Sequence, residues 1–266
     1  MSAVNIPPIP DLGQRTDEIT IFAGPCSVES QEQFDEVAEC IADLGLTWVR
    51  GGAFKPRTNP HSFQGLGEEA LKIMKSAGDR LGLKTLTEVM DSAHCEMVHS
   101  YVDGLQVGAR NFQNFSLLRK IGQVTADSHK MVLYKRGFAG SIAEWLAACD
   151  YVTAEGNDNI VLCERGIRTF ETATRFTLDI AAVPVVHKQS LYPICVDVSH
   201  PAGQRDLVPS LAMAAVAAGA DSLMIEVHPN PPTALSDGPQ QLTPEQFRVL
   251  VEQLRELAAV LGKKIV

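Results

Sequence analysis

No two cysteines in this chain are spaced as CxxC. The six, Cys26, Cys40, Cys95, Cys149, Cys163 and Cys195, are dispersed, which reads as free thiols in a reducing, cytoplasmic compartment. The N-terminus, MSAVNIPPIPDLGQR, lacks the apolar stretch of a secretory signal. No apolar run is long enough to span a bilayer. There is no excess of positive charge either: the net charge is −9 and the pI is near 5.3, so bulk binding to nucleic acid or to a membrane surface is disfavoured. An acidic chain that binds anions must gather its cations locally.

Linkers and low-complexity tracts are also missing. The 266 residues, 45% hydrophobic and 21% charged, have an ordinary globular composition. The length fits one large α/β domain or two small ones. Residues 1–19 are polar and Pro-rich and read as an extended arm. From there a regular alternation begins. Short runs rich in Val, Ile and Leu fall at 20–23, 46–50, 84–89, 104–107, 131–135, 159–164, 193–198 and 222–227, the pattern of strands buried on both faces.

Helical patterns fill the gaps. The first opens at Ser30 with Gln33 three residues on, a capping-box spacing. Phe34, Val37, Ala38, Ile41 and Leu44 make its apolar face, and Gly45 stops it. The last opens at Thr243, with Pro244 at the first helical position and Gln246 after it. Phe247, Leu250, Val251, Leu254, Leu257 and Leu261 form its stripe. Weaker patterns lie at 67–81, 91–100, 114–121, 140–150, 171–182 and 207–218. Eight strand–helix units in about 250 residues is the arithmetic of an α/β (β/α)8 TIM barrel, here a single domain over 20–266. A doubly wound open sheet is the alternative. It would more often carry GxGxxG after its first strand, and none is present.

In a barrel, chemistry gathers where strands end. The second strand runs into RGGAFKPRT, which puts Arg50, Lys55 and Arg57 into nine residues of loop. Its glycines allow close backbone approach, and Pro56 fixes the turn between the last two cations. Such a loop suits a phosphorylated substrate, since Arg grips phosphate in a fork and Lys acts as a point charge. Other strands end alike: in Glu88, in Arg110, in Lys135 and Arg136, in Arg165 and Arg168. Eight of the 23 Lys and Arg residues fall at strand ends. Any one could be a solvated surface charge. Together they make a cationic rim able to neutralise two phosphorylated anions.

Cys26, His200, Glu226 and Asp237 form a second group at strand ends and in the last loop. A thiolate, an imidazole and two carboxylates can hold a divalent first-row metal with positions left open. Singly, each has an ordinary explanation as well. Cys26 could be a small buried hydrophobe, His200 before Pro201 a turn residue, Glu226 the partner of a cation. Four ligands from scattered strands make no compact signature.

The motifs IFAGPCSVES, RGGAFKPRTNPHSFQGLG, QVGARNFQNF, ERGIRTFETATRFTLDI, DVSHPAG and IEVHPNPPTALSDGPQQL, taken together and in order, resemble 3-deoxy-D-arabino-heptulosonate 7-phosphate (DAHP) synthases. The likeness is to the type I-beta branch, related to the 3-deoxy-D-manno-octulosonate 8-phosphate synthases. It covers nearly the whole chain from about Ile21. The resemblance implies a metal-dependent, aldol-like condensation of phosphoenolpyruvate with erythrose 4-phosphate, at the head of the shikimate pathway to the aromatic amino acids. It implies Cys26, His200, Glu226 and Asp237 as ligands of a divalent ion such as Mn2+, Co2+, Fe2+ or Zn2+. Arg110, Lys135 and Arg165 would hold phosphoenolpyruvate, with Ala109, Arg50 and Lys55 beside them, and Arg57 and Thr58 the erythrose 4-phosphate end. Lys55, Glu88, Lys135 and His200 would stand nearest the reacting atoms. Arg168 and Asp197 carry no assigned role. The chain departs from the family's habit at Val198, where proline is common, and at Tyr134, where leucine is usual; neither alters a functional group.

The resemblance further implies a homodimer or homotetramer, and a separate regulatory partner such as a chorismate mutase. The arm is too short to fold a domain of its own, so no built-in amino-acid feedback is expected. Two rival readings exist. The octulosonate synthase, which uses arabinose 5-phosphate, resembles KANRSS-type sequences where this chain has KPRT. A non-catalytic barrel serving as a binding partner fits poorly with a complete set of Cys, His, Glu, Asp, Lys and Arg.

Overall fold

The structure, a computed structural model, describes residues 17–56, 59 and 61–266. Eight parallel strands close a barrel: β1 (Glu18–Gly24), β2 (Trp48–Arg50), β3 (Lys84–Val89), β4 (Gly104–Val107), β5 (Met131–Lys135), β6 (Ile160–Glu164), β7 (Ile194–Asp197) and β8 (Ser222–Glu226). Each pairs with the next, and β1 pairs with both β8 and β2, so no edge is left open. All eight expected strands are present, each within two residues of its expected bounds. β1 starts inside the expected arm; residues 1–16 of that arm lie outside the described residues. A short β9 (Lys264–Ile265), for which the sequence pattern gave no sign, runs parallel to the start of β1.

The helices are α1 (Gln31–Asp43), α2 (Glu68–Leu81), α3 (Cys95–Tyr101), α4 (Phe115–Thr125), α5 (Ile142–Thr153), α6 (Ala182–Gln189), the one-turn α7 (Ser199–Ala202), α8 (Val208–Ala217) and α9 (Pro244–Val260). Ser30 caps α1 by accepting from Gln33 N. The Gln33 side chain instead accepts from Glu29 N, so only half of the expected box forms. At α9 both halves of the Thr243–Gln246 box are made. No described helix is long and apolar enough to cross a membrane.

The helix expected over 171–182 is not there. Residues 165–181 are a loop, and α6 begins only at Ala182. Threonines explain this. Thr177 joins Ile167 in an antiparallel bridge, Thr169 and Thr177 share a hydroxyl hydrogen bond of 2.6 Å, and Thr174 Oγ1 donates to Phe176 O. Such local bonds compete with helical ones. Pro184 is tolerated because it lies in the first turn of α6.

Strand alternation positions the site. Residues such as Ile21, Ala23, Leu105, Val132, Leu162, Val196 and Ile225 join the large core between strands and helices. Their alternates Phe22, Leu86, Met131, Leu133, Val161, Cys163, Cys195 and Met224 form a second, smaller cluster inside the barrel. Two residues further along that inward face the apolar series turns charged. Trp48 leads to Arg50, Leu86 to Glu88, Leu133 to Lys135, Cys163 to Arg165, Cys195 to Asp197 and Met224 to Glu226. With a side-chain period of two, an apolar plug at the lower end and a ring of charge at the C-terminal end follow from one pattern.

Candidate active site

The ring surrounds a cavity of about 330 Å3 lined by Lys55, Glu88, Arg110, Arg165, Arg175, His200 and Asp237, among others. Beneath it Cys26, Glu226 and Asp237 each bring a ligand atom within 4.8 Å of the others. Cys26 Sγ lies 3.4 Å from Asp237 Oδ2. His200 Nε2 stands beside that group rather than within it, 3.7 Å from Glu226 Oε1 and 3.9 Å from Asp237 Oδ2. The loop after β8 makes this meeting local. A bridge between Val227 and Leu242 closes its ends, Gln241 Oε1 accepts from Cys26 N, and Asp237 takes a left-handed backbone at φ 48°. Asparagine and aspartate tolerate that conformation better than most residues.

His200, Glu226 and Asp237 each have an outer partner. His200 Nδ1 lies 2.7 Å from Asp197 Oδ2, close but poorly aligned for a hydrogen bond. Asp197 Oδ1 accepts from Ser199 N and His200 N. Glu226 Oε2 accepts from Gln240 Nε2 at 2.6 Å. Asp237 Oδ1 pairs with Arg175 Nη1 at 3.2 Å. The oxygens and nitrogen left facing one another are those that cluster, as expected of ligands oriented from outside.

Electrostatics fit the same picture. Burial pushes the Cys26 thiol up to about 12, and Glu226 adds to the rise, while Lys55 opposes it. Burial lowers His200 despite the nearby Asp197, which favours the neutral imidazole that can act as a ligand. Burial would raise Asp197, but His200 and Lys135 hold it well below the carboxylate range. Asp237, although desolvated, is held low by His200 and Arg175. Burial opposes the charge of Lys55, yet Cys26 and Glu226 keep that lysine above its ordinary value. A soft thiol, a neutral imidazole and two carboxylates converging beneath a cavity fit a first-row divalent ion.

The expected substrate residues divide. Arg110, Arg165, Lys55 and Glu88 line the cavity. Arg165 is buried with its guanidinium carbon 4.0 Å from the centroid of the Phe176 ring. Lys135 and Arg50 are not in the lining. Lys135 Nζ is bound to Asp197 Oδ2 at 2.6 Å, and Arg50 Nη1 donates to Pro25 O and pairs with Glu226 at 3.4 Å. Ala109 lines a neighbouring groove of about 700 Å3, which contains none of the four candidate ligands. Arg57 and Thr58 lie outside the described residues. Arg168 is exposed, over the Phe138 ring. Arg136 does not belong to the rim: it is buried and bound to Glu164 and Asp179 at 2.9 and 2.7 Å, since two carboxylates on its outer side satisfy it there.

Arg175 and Gln240 escaped the sequence reading. Both stand in quoted motifs, but Arg175 fell inside the expected helix 171–182, which gave no reason to aim it at the site. Gln240, 2% exposed, is an amide in a loop with no distinguishing spacing.

Residues 12–261 match the DAHP synthetase I family. A phospho-2-dehydro-3-deoxyheptonate aldolase of Thermotoga maritima is 51% identical over 246 residues, covering 92% of this chain and 72% of that one. A 2-dehydro-3-deoxyphosphooctonate aldolase of Caulobacter vibrioides is 31% identical over 262 residues, covering 90% and 87%. Among solved structures, the crystal structure of the Thermotoga maritima DAHP synthase superimposes with a TM-score of 0.90 at 50% identity, covering 94% of this chain and 72% of the other. A truncated form of the 3-deoxy-D-arabino-heptulosonate 7-phosphate synthase from the same organism gives 0.86 at 46% identity, covering 94% and 90%.

Proposed function

The chain is an enzyme that belongs to the DAHP synthetase I family, and from that premise we propose that it condenses phosphoenolpyruvate, erythrose 4-phosphate and water to DAHP and inorganic phosphate. This is the entry step of the shikimate pathway. The observation that carries the reading is the meeting of Cys26, Glu226 and Asp237 with His200 under a cavity lined by Lys55, Arg110 and Arg165. One place then offers ligands for a cation and counter-charges for phosphorylated anions.

In this proposal Cys26, His200, Glu226 and Asp237 hold the divalent ion, with Mn2+, Co2+, Fe2+ and Zn2+ all suited to the donor set. Once bound, the ion supplies a Lewis acid for the aldehyde oxygen of the sugar phosphate. Arg165 and Arg110 hold phosphoenolpyruvate by its anionic groups. Arg165 is fixed by the Phe176 ring beneath it, so little orientation is lost on binding. C3 of phosphoenolpyruvate attacks the aldehyde carbon, positive charge develops at C2, and water adds there. The resulting hemiketal phosphate breaks its C–O bond and releases inorganic phosphate. Glu88 lines the cavity and accepts from Gln106 Nε2 at 3.2 Å, which fits it to take the proton of the incoming water. Lys55, which lines the cavity, stabilises the negative charge that moves onto oxygen during these steps, while Lys135 acts from behind the cavity wall, paired with Asp197 beside His200.

The test is inorganic phosphate release from phosphoenolpyruvate, with erythrose 4-phosphate or arabinose 5-phosphate as partner, before and after chelation. Release with the four-carbon sugar, lost on chelation and restored by added metal, is expected. Faster release with arabinose 5-phosphate would assign the chain to the octulosonate reaction instead.

A further inference from the structure

The loop 165–181 contributes none of the four candidate ligands, yet it touches the segments that carry Asp237 and His200 and reaches Glu226 through Gln240. Arg175 Nη1 donates to Gln240 Oε1 at 2.9 Å and pairs with Asp237 Oδ1 at 3.2 Å. Gln240 passes the contact inward, its Nε2 donating to Glu226 Oε2 at 2.6 Å. The next residue, Phe176, donates its backbone N–H to Pro201 O, beside His200. Gly203 makes room: a Cβ there would stand 2.8 Å from Arg175 Cβ, and its φ of +67° suits glycine. On its other side Phe176 lies under Arg165 and stacks on Phe138 at 5.3 Å. Two consecutive side chains therefore face the two halves of the site. Arg175 faces the carboxylates, and Phe176 faces the arginine that would hold the anion.

The oxygens that Arg175 and Gln240 occupy are the ones turned away from the cluster. Asp237 Oδ2, not Oδ1, faces Cys26 Sγ and His200 Nε2. Glu226 Oε1, not Oε2, faces His200 Nε2, and it also pairs with Arg50 Nη1 at 3.4 Å. Each outer oxygen engaged by a donor leaves its carboxylate one oxygen to offer inward. Asp237 needs such help, because it sits on a loop and its side chain is 24% exposed.

We propose that Arg175 is a positioning residue for the metal centre: directly at Asp237, and through Gln240 at Glu226, it holds both carboxylates as one-oxygen ligands. The proposal rests on the reading of Cys26, His200, Glu226 and Asp237 as a metal site. It goes beyond that reading by assigning ligand geometry to a residue on the substrate-side loop. Loss of such an outer partner typically weakens metal binding by about 10- to 100-fold. Without Arg175, Asp237 is free to turn both oxygens inward, which changes the coordination as well as the affinity.

The experiment uses Co2+ alone as probe, with no substrate present. Affinity is measured by equilibrium dialysis, and coordination by the visible ligand-field bands of the bound ion. Arg175→Met should bind Co2+ roughly tenfold or more weakly than wild type and show altered bands. Arg175→Lys keeps a charge with hydrogens for both acceptors and should recover most of the affinity. Gln240→Met, which cuts only the Glu226 arm, should lie between them and covers the case in which Arg175→Met does not fold. Phe176→Leu controls for general loosening of the loop and should leave Co2+ binding unchanged while raising the KM for phosphoenolpyruvate. Wild-type affinity and bands in Arg175→Met, or equal weakening by Phe176→Leu, would overturn the assignment of Arg175 while leaving the metal site intact. Failure of the wild type itself to bind Co2+ would overturn the metal reading, and this inference with it.

Discussion

Lys55 Nζ stands 3.1 Å from Cys26 Sγ and 3.0 Å from the carbonyl oxygen of the same residue. A side chain of the proposed anion-binding loop thus rests on a candidate metal ligand, and the two roles can be separated. Cys26→Ala removes the soft donor and should lower affinity for Co2+ or Mn2+ by more than the roughly tenfold to hundredfold that an outer-partner loss costs. Lys55→Ala leaves four donors in place and should retain one ion per chain while turnover collapses. Metal content after dialysis, read beside kcat, checks both. Full metal occupancy in Cys26→Ala would remove the thiol from the ligand set.

Glu88 and Gly108 are neighbours of another kind. A Cβ at Gly108 would lie 2.0 Å from Glu88 Oε1. The backbone there has φ −73°, so alanine brings no conformational penalty of its own. The end of a flexible side chain must move instead. Gly108→Ala is expected to keep Tm within a few degrees and to lower kcat by at least about tenfold, because a misplacement of about 1 Å can cost up to about a hundredfold in rate. Unchanged kcat in a folded Gly108→Ala protein would take Glu88 out of the proton transfer.

Arg136 tests the opposite case, a strand-end cation that serves stability. It is buried against Glu164, whose carboxyl burial pushes up and Arg136 pulls down. Removing one partner leaves an uncompensated buried charge at a cost of about 3–5 kcal/mol. At about 2–4 °C per kcal/mol for a chain of this size, Arg136→Ala should lower Tm by about 6–20 °C. Exposed Arg110→Ala should leave Tm alone and raise the KM for phosphoenolpyruvate. Thermal melts and saturation curves on the two variants decide it; a stable Arg136→Ala with a raised KM would return Arg136 to the rim.

These contrasts mark where the sequence was readable. The strands were legible because residues such as Ile21, Leu105 and Ile225 are buried on the helix side while Phe22, Leu133 and Met224 are buried inside the barrel, and double burial leaves a continuous apolar run. The charged strand ends were legible for the same reason, since a charge can follow such a run only where the barrel opens. What a given charge faces was not legible. Arg136 and Lys135 are adjacent, but period two turns Lys135 inward to Asp197 and Arg136 outward to Asp179. The loop 165–181 was misread because helical spacing of apolar residues outweighed its threonines. That error hid Arg175. Gln240 acts through an amide whose only distinction is its burial, which no spacing reveals.

We propose that the choice of sugar phosphate falls to the loop between Lys55 and Ser62. Lys55 N donates to Gln64 O, and Gly67 N to Ala53 O, so the ends of the loop are pinned together. Pro56 and Asn59, on either side of Arg57 and Thr58, line the cavity. That placement supports the expectation, raised by the KPRT motif, that Arg57 grips the distal phosphate of erythrose 4-phosphate and Thr58 adds a hydroxyl donor. Lys55 cannot substitute, since a point charge does not reproduce a fork and its Nζ is already engaged with Cys26. A charge-assisted hydrogen bond contributes about 1.5–3 kcal/mol, or roughly one to two decades in binding. Arg57→Ala should therefore raise the KM for erythrose 4-phosphate about 10- to 100-fold and move that for phosphoenolpyruvate much less. Arg165→Ala should do the reverse. Arabinose 5-phosphate sets its phosphate one carbon farther from the aldehyde and should be turned over poorly by the wild type. Saturation curves for both substrates on both variants are the measurement, and equal shifts in the two KM values would void the assignment of this loop to the sugar phosphate.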